Sequence, residues 1–257
     1  MTIQEVVAVI DRSGSMRGKE NDTVGGINAM LDELKSSKTD EDIIRVSIKL
    51  FDNEQLLNKR CVDISEIGEF LLSEFIPRGS TALLDAIGDT LRFFMEKKLR
   101  EPTAYDTCLV YIATDGLENA STRHTRDVIK DLISNAETTY NIKVVYLGAN
   151  QDAILEAENI GISPNSAINY AENTENVEAV YRSAAAVAHR DRSGLHVMPS
   201  FTAMERQASH PNSSQHSSPP NLERQTNAVL PHPLAQTFMH QPNPTSPPPL
   251  VQQTSSA

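Results

Sequence analysis

The chain reads as an α/β protein: a doubly wound, mostly parallel, Rossmann-like sheet with one antiparallel edge strand and helices on both faces. Three observations predict it. Apolar strand-length runs alternate with helical stripes along nearly all of the segment from Ile3 to Val187, the pattern of βα units. The second half of Ile3–Ile10 and the run Cys108–Ala113 are apolar on both faces, as parallel strands covered from either side require. Both runs end on an acidic residue, Asp11 in one case and Asp115 of Thr114-Asp115-Gly116 in the other, where sheets of this kind bind ligands.

Taken in order, Ile3–Ile10 is the first strand and stops at Asp11. Thr23 reads as the cap of a helix whose stripe is Val24, Ile27, Leu31 and Leu34. Ile44, Val46, Ile48 and Leu50 alternate with Arg45, Ser47 and Lys49, which predicts a strand with one less protected face. Asp52-Asn53-Glu54 turns the chain, and Gln55–Val62 returns as the antiparallel edge, where Lys59 and Arg60 discourage further pairing. After Arg78-Gly79-Ser80-Thr81 comes a long helix with Leu83, Leu84, Ile87, Leu91, Phe94 and Met95 on one face. The strand Cys108–Ala113, a helix through Val128–Ala136 and the strand Ile142–Leu147 follow. A short helix at Ala153–Ala157, a short strand at Ile168–Tyr170 and a closing helix over Val177–Val187 complete the series.

Composition divides the chain. Eleven of the fourteen prolines lie beyond position 190, among Ser, Gln, Asn and His. We therefore expect a domain over 1–192 and a disordered tail over 193–257. Residues 1–189 carry 19 basic and 31 acidic side chains, a balance that disfavours a nucleic-acid surface. Cys61 and Cys108 lack metal-ligand spacing and read as small buried hydrophobes, consistent with a reducing, cytoplasmic setting. No run approaches the roughly 18 apolar residues of a membrane span, and no leader pattern opens the sequence, so no membrane association is expected.

Asp11-Arg12-Ser13-Gly14-Ser15 alternates oxygen-bearing side chains with fillers, so an extended loop would turn Asp11, Ser13 and Ser15 one way. Thr81 adds a third hydroxyl at a loop-to-helix transition, and Asp115 a second carboxylate. These five are hard oxygen donors without sulfur or imidazole, a set suited to Mg2+ or Mn2+. A coordination position held by water could pass to a carboxylate from a partner. Taken singly, each residue has a plainer role: Asp and Ser satisfy turn amides, and Thr81 caps a helix. Their combination at the ends of expected strands favours the metal site.

The three segments Asp11–Ser15, Thr81 and Thr114-Asp115-Gly116 resemble the metal-ion-dependent adhesion site (MIDAS) of von Willebrand factor A-type domains. More narrowly, Arg78–Ile87, Thr114–Ser121 and Leu147–Asn150 followed by Asp152-Ala153 are similar to stand-alone bacterial and phage A-type proteins within the cell. The likeness runs from about Ile3 to Arg192. It implies Asp11, Ser13 and Ser15 as first-loop ligands, Thr81 as the second-loop ligand and Asp115 as the third, direct or through water. It implies a non-enzymatic adaptor that binds a protein partner through an Asp or Glu carboxylate, with an AAA-type ATPase system among the expected partners.

Two other classes compete. A metal-dependent phosphotransferase or hydrolase would want a carboxylate two residues after its nucleophilic Asp, where Ser13 stands. A nucleophile elbow needs Gly where the chain has Asp11, and no phosphate-binding glycine loop occurs. Alternatively the tail, with Pro244-Thr245-Ser246-Pro247 as a polyproline candidate, carries the interaction and the domain is passive. Asp85 reads as a solvated helix residue or an orienting group, His124 as an exposed loop side chain, and Asn119 and Ser121, near the metal rim, equally as partner contacts or as ordinary exposed loop polarity.

Overall fold

A computed structural model describes residues 1–149, 152–194 and 198–209. Its elements are β1 (Thr2–Asp11), α1 (Glu20–Ser36), β2 (Asp42–Phe51), β3 (Gln55–Asp63), α2 (Leu83–Arg100), β4 (Thr107–Thr114), α3 (Arg126–Tyr140), β5 (Ile142–Ala149), α4 (Ala153–Asn159), β6 (Ala167–Tyr170), α5 (Thr174–Arg192) and α6 (Ala203–Ser209). They form a six-stranded sheet in the order β3-β2-β1-β4-β5-β6. All neighbouring pairs are parallel except β2 with β3, which is the expected antiparallel edge.

Side-chain alternation divides the core into two layers. Val6, Ala8 and Ile10 of β1, with Leu109 and Tyr111 of β4, meet Ile27, Leu31 and Leu34 of α1 and Val180, Tyr181 and Ala184 of α5. Val7 and Val9, with Val110 and Ile112, face Leu84, Ile87 and Leu91 of α2 and Ile129 and Ile133 of α3. Contact between α1 and α5 depends on Gly26, where a Cβ would stand 2.7 Å from the Tyr181 ring. The small residue lets the aromatic ring lie against the helix backbone.

Several local expectations shift. Helix α1 begins at Glu20, with Glu20 and Asp22 in its first turn, and Thr23 lies buried inside it instead of capping it. Acidic side chains there favour the positive helix end, and Asp22 accepts a hydrogen bond from Thr174 Oγ1 at 2.7 Å. The polar face of β2 is covered by α2: Ser47 is buried, and Lys49 Nζ donates to Ala86 O at 3.2 Å. Strand β3 carries a bulge, since Val46 pairs with Val62 but Ile48 with Lys59. Cys61 sits in that bulge at φ 49° and is only half-buried, whereas Cys108 is buried as expected. Ser47 Oγ accepts from the Cys61 amide at 2.9 Å and so satisfies the displaced backbone.

The folded part continues past Arg192. Phe201 is buried, its amide donates to Asn165 O at 3.0 Å, and Arg206 of α6 donates to Ala167 O at 2.7 Å. Arg190 of α5 pairs with Glu205 of α6 at 2.8 Å. The segment expected as tail from 193 thus opens with a helix that packs beside β6 and α5. Hydrophobic periodicity does not announce it because one phenylalanine and a set of polar contacts attach it. The rest of the expected tail, with Pro244–Pro247, lies outside the described residues.

Candidate metal centre

The sheet order reverses between β1 and β4, where one neighbour leads back to β2 and the other on to β5. Register sets the two carboxylates side by side, for Ile10 pairs with Ala113, so Asp11 and the Thr114-Asp115 pair leave the sheet together. Asp11 is fully buried. Its Oδ1 accepts from the Ser13 amide at 2.7 Å, and its Oδ2 from Thr114 Oγ1 at 2.6 Å. Arg12 turns the other way, towards Asp52 at 3.2 Å. A single 3-10 turn over Gly14–Met16 then brings Ser13 Oγ to 3.0 Å from Ser15 Oγ. Ser15 Oγ donates to Asp115 Oδ1 at 2.7 Å.

The second loop meets the first through its backbone: Gly14 N donates to Gly79 O at 3.1 Å. Gly79 has φ 69°, and a Cβ there would stand 2.0 Å from Asn53 Oδ1, so both conformation and space require glycine. Beyond it Thr81 is buried. A Cβ on Gly116 would lie 3.3 Å from Thr81 Oγ1, 3.6 Å from Ser15 Oγ and 3.8 Å from Asp11 Oδ2. One point beside Gly116 therefore touches oxygens from the first and second loops, on the backbone of the third. The structure brings Asp11, Ser13, Ser15, Thr81 and Asp115 together.

The donor set fits a small hard cation. One carboxylate and two hydroxyls, from Asp11, Ser15 and Thr81, ring the space beside Gly116, and Ser13 and Asp115 join them through their hydrogen bonds to Ser15. Burial pushes the Asp11 carboxyl above its usual pKa; donors from Thr114 and Ser13 offset this, and the Asp115 charge adds to it. Among the described residues no cationic side chain pairs with Asp11, and a cation beside it would favour its charged form against the effect of burial. Among the described residues no three His, Cys, Asp or Glu side chains gather, so the set resembles no thiolate or imidazole cage.

Sequence reasoning missed Lys19. Its ammonium donates to Asp115 Oδ2 at 2.5 Å and to Glu172 beyond β6. Burial opposes its charge, but the two carboxylates outweigh that and raise its pKa. Lys19 occupies one Asp115 oxygen while Ser15 takes the other. Nothing local signals the contact, because Glu172 lies 153 residues away in sequence.

The residues after Asp115 bond back to the second loop and the start of α2, although Leu117 and Asn119 stay exposed. Asn119 Oδ1 accepts from the Thr81 amide at 2.9 Å, and the Asn119 and Ala120 amides donate to Thr81 O at 3.1 Å. Glu118 accepts from the Leu84 amide at 2.9 Å and Ser121 Oγ from the Asp85 amide at 3.0 Å, satisfying the start of α2. Asp85, expected in solvent, is buried and accepts from the backbone amides of Thr122, Arg123 and His124, each at 3.0 Å. Burial opposes its ionisation, yet those donors prevail and hold it below the usual carboxylate range. His124 is likewise buried, with Nδ1 3.1 Å from Asp85 Oδ1 and its ring against Gly88. These contacts fasten the Asp115 loop to Thr81 and the helix that follows it.

This fold is that of von Willebrand factor A-type domains. Among solved structures the chain is similar to proximal thread matrix protein 1 from the mussel byssus, at 16% identity and a TM-score of 0.54, covering 73% of this chain and 46% of that one. It is also similar to a von Willebrand factor type A protein from Catenulispora acidiphila, at 15% identity, TM-score 0.52, and 73% and 43% coverage. The third is the von Willebrand factor domain of the type V pili tip protein Mfa5 from Porphyromonas gingivalis, at 13% identity, TM-score 0.54, and 75% and 97% coverage. This chain thus spans less than half the length of the first two. No family model and no curated protein matches the sequence. Among the described residues no helix is long and apolar enough to cross a membrane.

Proposed function

We propose that Asp11, Ser13, Ser15, Thr81 and Asp115 hold one divalent cation, Mg2+ or Mn2+, directly or through water, and that the protein is a non-enzymatic adaptor. When bound, such an ion supplies a Lewis-acidic position that a carboxylate from a partner protein can take in place of water. The observation that carries this reading is the gap at Gly116, ringed by oxygens of Asp11, Ser15 and Thr81. Proximal thread matrix protein 1 has also been solved with a zinc-occupied MIDAS motif, a metal on the same fold.

The chain's own residues do the positioning. Thr114 and the Ser13 amide orient Asp11, Ser15 links the first loop to Asp115, and Lys19 balances charge at the outer side of Asp115. The two carboxylates balance the charge of the ion, so an Asp or Glu side chain on the partner meets no net repulsion when it replaces water, and an AAA-type ATPase assembly is the partner class the A-type resemblance suggests. A cytoplasmic location accords with a free half-buried thiol at Cys61.

Calorimetric titration of the full chain with magnesium and with manganese tests the metal. Binding is expected in the unaltered protein and absent in Asp11→Ala; equal affinity in the two removes the proposal. Affinity capture with and without chelator then tests recognition, since a metal-bridged partner must be lost upon chelation.

A further inference from the structure

A cavity of about 270 Å3 opens between the β2–β3 pair and α2, and no metal-centre residue lines it. Leu57, Phe93 and Phe94 make its apolar walls. The polar lining is one-sided. Thr90 Oγ1 donates to Ala86 O at 2.7 Å and accepts from Lys49 at 3.1 Å, while Ser47 Oγ accepts from the Cys61 amide at 2.9 Å. Asp89, the one carboxylate among the described lining residues, is held by two bonds from Arg123 at 2.8 and 2.9 Å.

Three donor side chains keep open N–H groups. Gln55 Nε2 is buried without a partner. Arg60 stacks on the Phe93 ring at 5.1 Å. Lys49 spends two of its three N–H groups on Ala86 O and Thr90 Oγ1. Among the described residues neither cation forms an ion pair. Burial pushes the Lys49 ammonium down to about 8, with Asp89 resisting and Arg123 adding to the fall, so at neutral pH it is a poorly solvated cation facing a cavity.

We propose that this cavity binds a small amphipathic carboxylate, an aryl or alkyl acid whose body lies on Phe93, Phe94 and Leu57 and whose carboxylate meets Lys49, Gln55 and Arg60. An ionised carboxylate only accepts hydrogen bonds, which suits the open donors of Lys49, Gln55 and Arg60. Pairing with a lysine and an arginine makes those bonds charge-assisted. Size agrees, because a cavity of about 150 Å3 takes one benzene, leaving room here for a ring with a short acidic side chain. The site is independent of the metal centre.

The test is titration of the isotopically labelled full chain with 3-phenylpropionate and with neutral 3-phenylpropionamide, followed by amide resonances. Chelator is present, so that the acid meets no metal. The acid is expected to cause saturable shifts at Gln55, Leu57, Thr90 and Phe93 and to bind about tenfold more tightly than the amide. Arg60→Gln, on the exposed face of an edge strand, is expected to weaken the acid about tenfold while sparing the amide. Leu57→Trp fills the cavity and is expected to abolish both. Absence of saturable shifts up to about 10 mM, shifts centred elsewhere, or equal affinity for acid and amide overturns the proposal.

Discussion

Gly116 shows how much a missing side chain can decide. A methyl group there would press on Thr81 Oγ1 at 3.3 Å and approach Ser15 Oγ and Asp11 Oδ2, while the backbone, outside the left-handed region, accepts alanine. Gly116→Ala is therefore expected to cut magnesium affinity at least about tenfold, read by calorimetry, and to move Tm by less than about 2 °C. Glu137 is a separate single-residue case. Half-buried on α3, it is pushed up to about 7 by burial, with Lys143 pulling it down. Its folded pKa lies above that of an unfolded glutamate, so the protonated group favours the fold fully below about pH 4.3. That contribution fades as pH rises through about 7. Glu137→Gln is expected to raise Tm by about 2 °C at pH 8, after allowance for solvent screening, and to change nothing at pH 4. A difference independent of pH would mean that packing, and not ionisation, governs the position.

Among the elements, α2 and the loop after β4 behave as one unit. Thr81, Leu84 and Asp85 give amide hydrogen bonds to Asn119, Glu118 and Ser121, and Asp85 returns them by accepting from residues 122–124. Asp85 need not touch the ion to control where Thr81 and Asp115 stand. Replacing its charge with an amide in Asp85→Asn keeps the shape but weakens several bonds, a loss of about 1–3 kcal/mol. The expected results are a Tm lower by about 2–8 °C and magnesium affinity reduced severalfold. Undiminished affinity in a destabilised variant would show that the loop holds its position without Asp85. Helix α5 is anchored by similar chemistry at its far end. Asp191 accepts from Lys143 and from Thr107 Oγ1 at 2.5 Å, and Arg192 donates to Gln4 at 2.9 Å and Asp42 at 3.0 Å.

For the whole molecule, α6 marks the stretch past Arg192 that belongs with the sheet. A chain ended after Arg192 would lose α6, expose the sheet edge beside Ala167 and strand Arg190 without Glu205. Truncation there is expected to lower Tm by several degrees, whereas truncation after Ser209 leaves the unfolding curve unchanged. Any experiment that separates a tail function from the A-type domain is better cut at Ser209, since loss of partner capture after a cut at Arg192 would confound folding with recognition.

Strand and helix identity and the single antiparallel edge were legible in the amino-acid order, as were the five oxygen-bearing residues of the proposed site. Periods of two and 3.6 residues are local, and a ligand residue at a strand end is marked by the run before it. Strand order turned those marks into a site, by setting β4 beside β1 and so Asp115 beside Asp11. Lys19 with Glu172, the inward Asp85 and His124, and the attachment of α6 came only with the tertiary structure. Their partners lie far along the chain or bond through backbone amides, and neither kind of contact leaves a period in the sequence. The apolar pattern decides which faces meet, while the polar contacts that aim the site exist only after they have met.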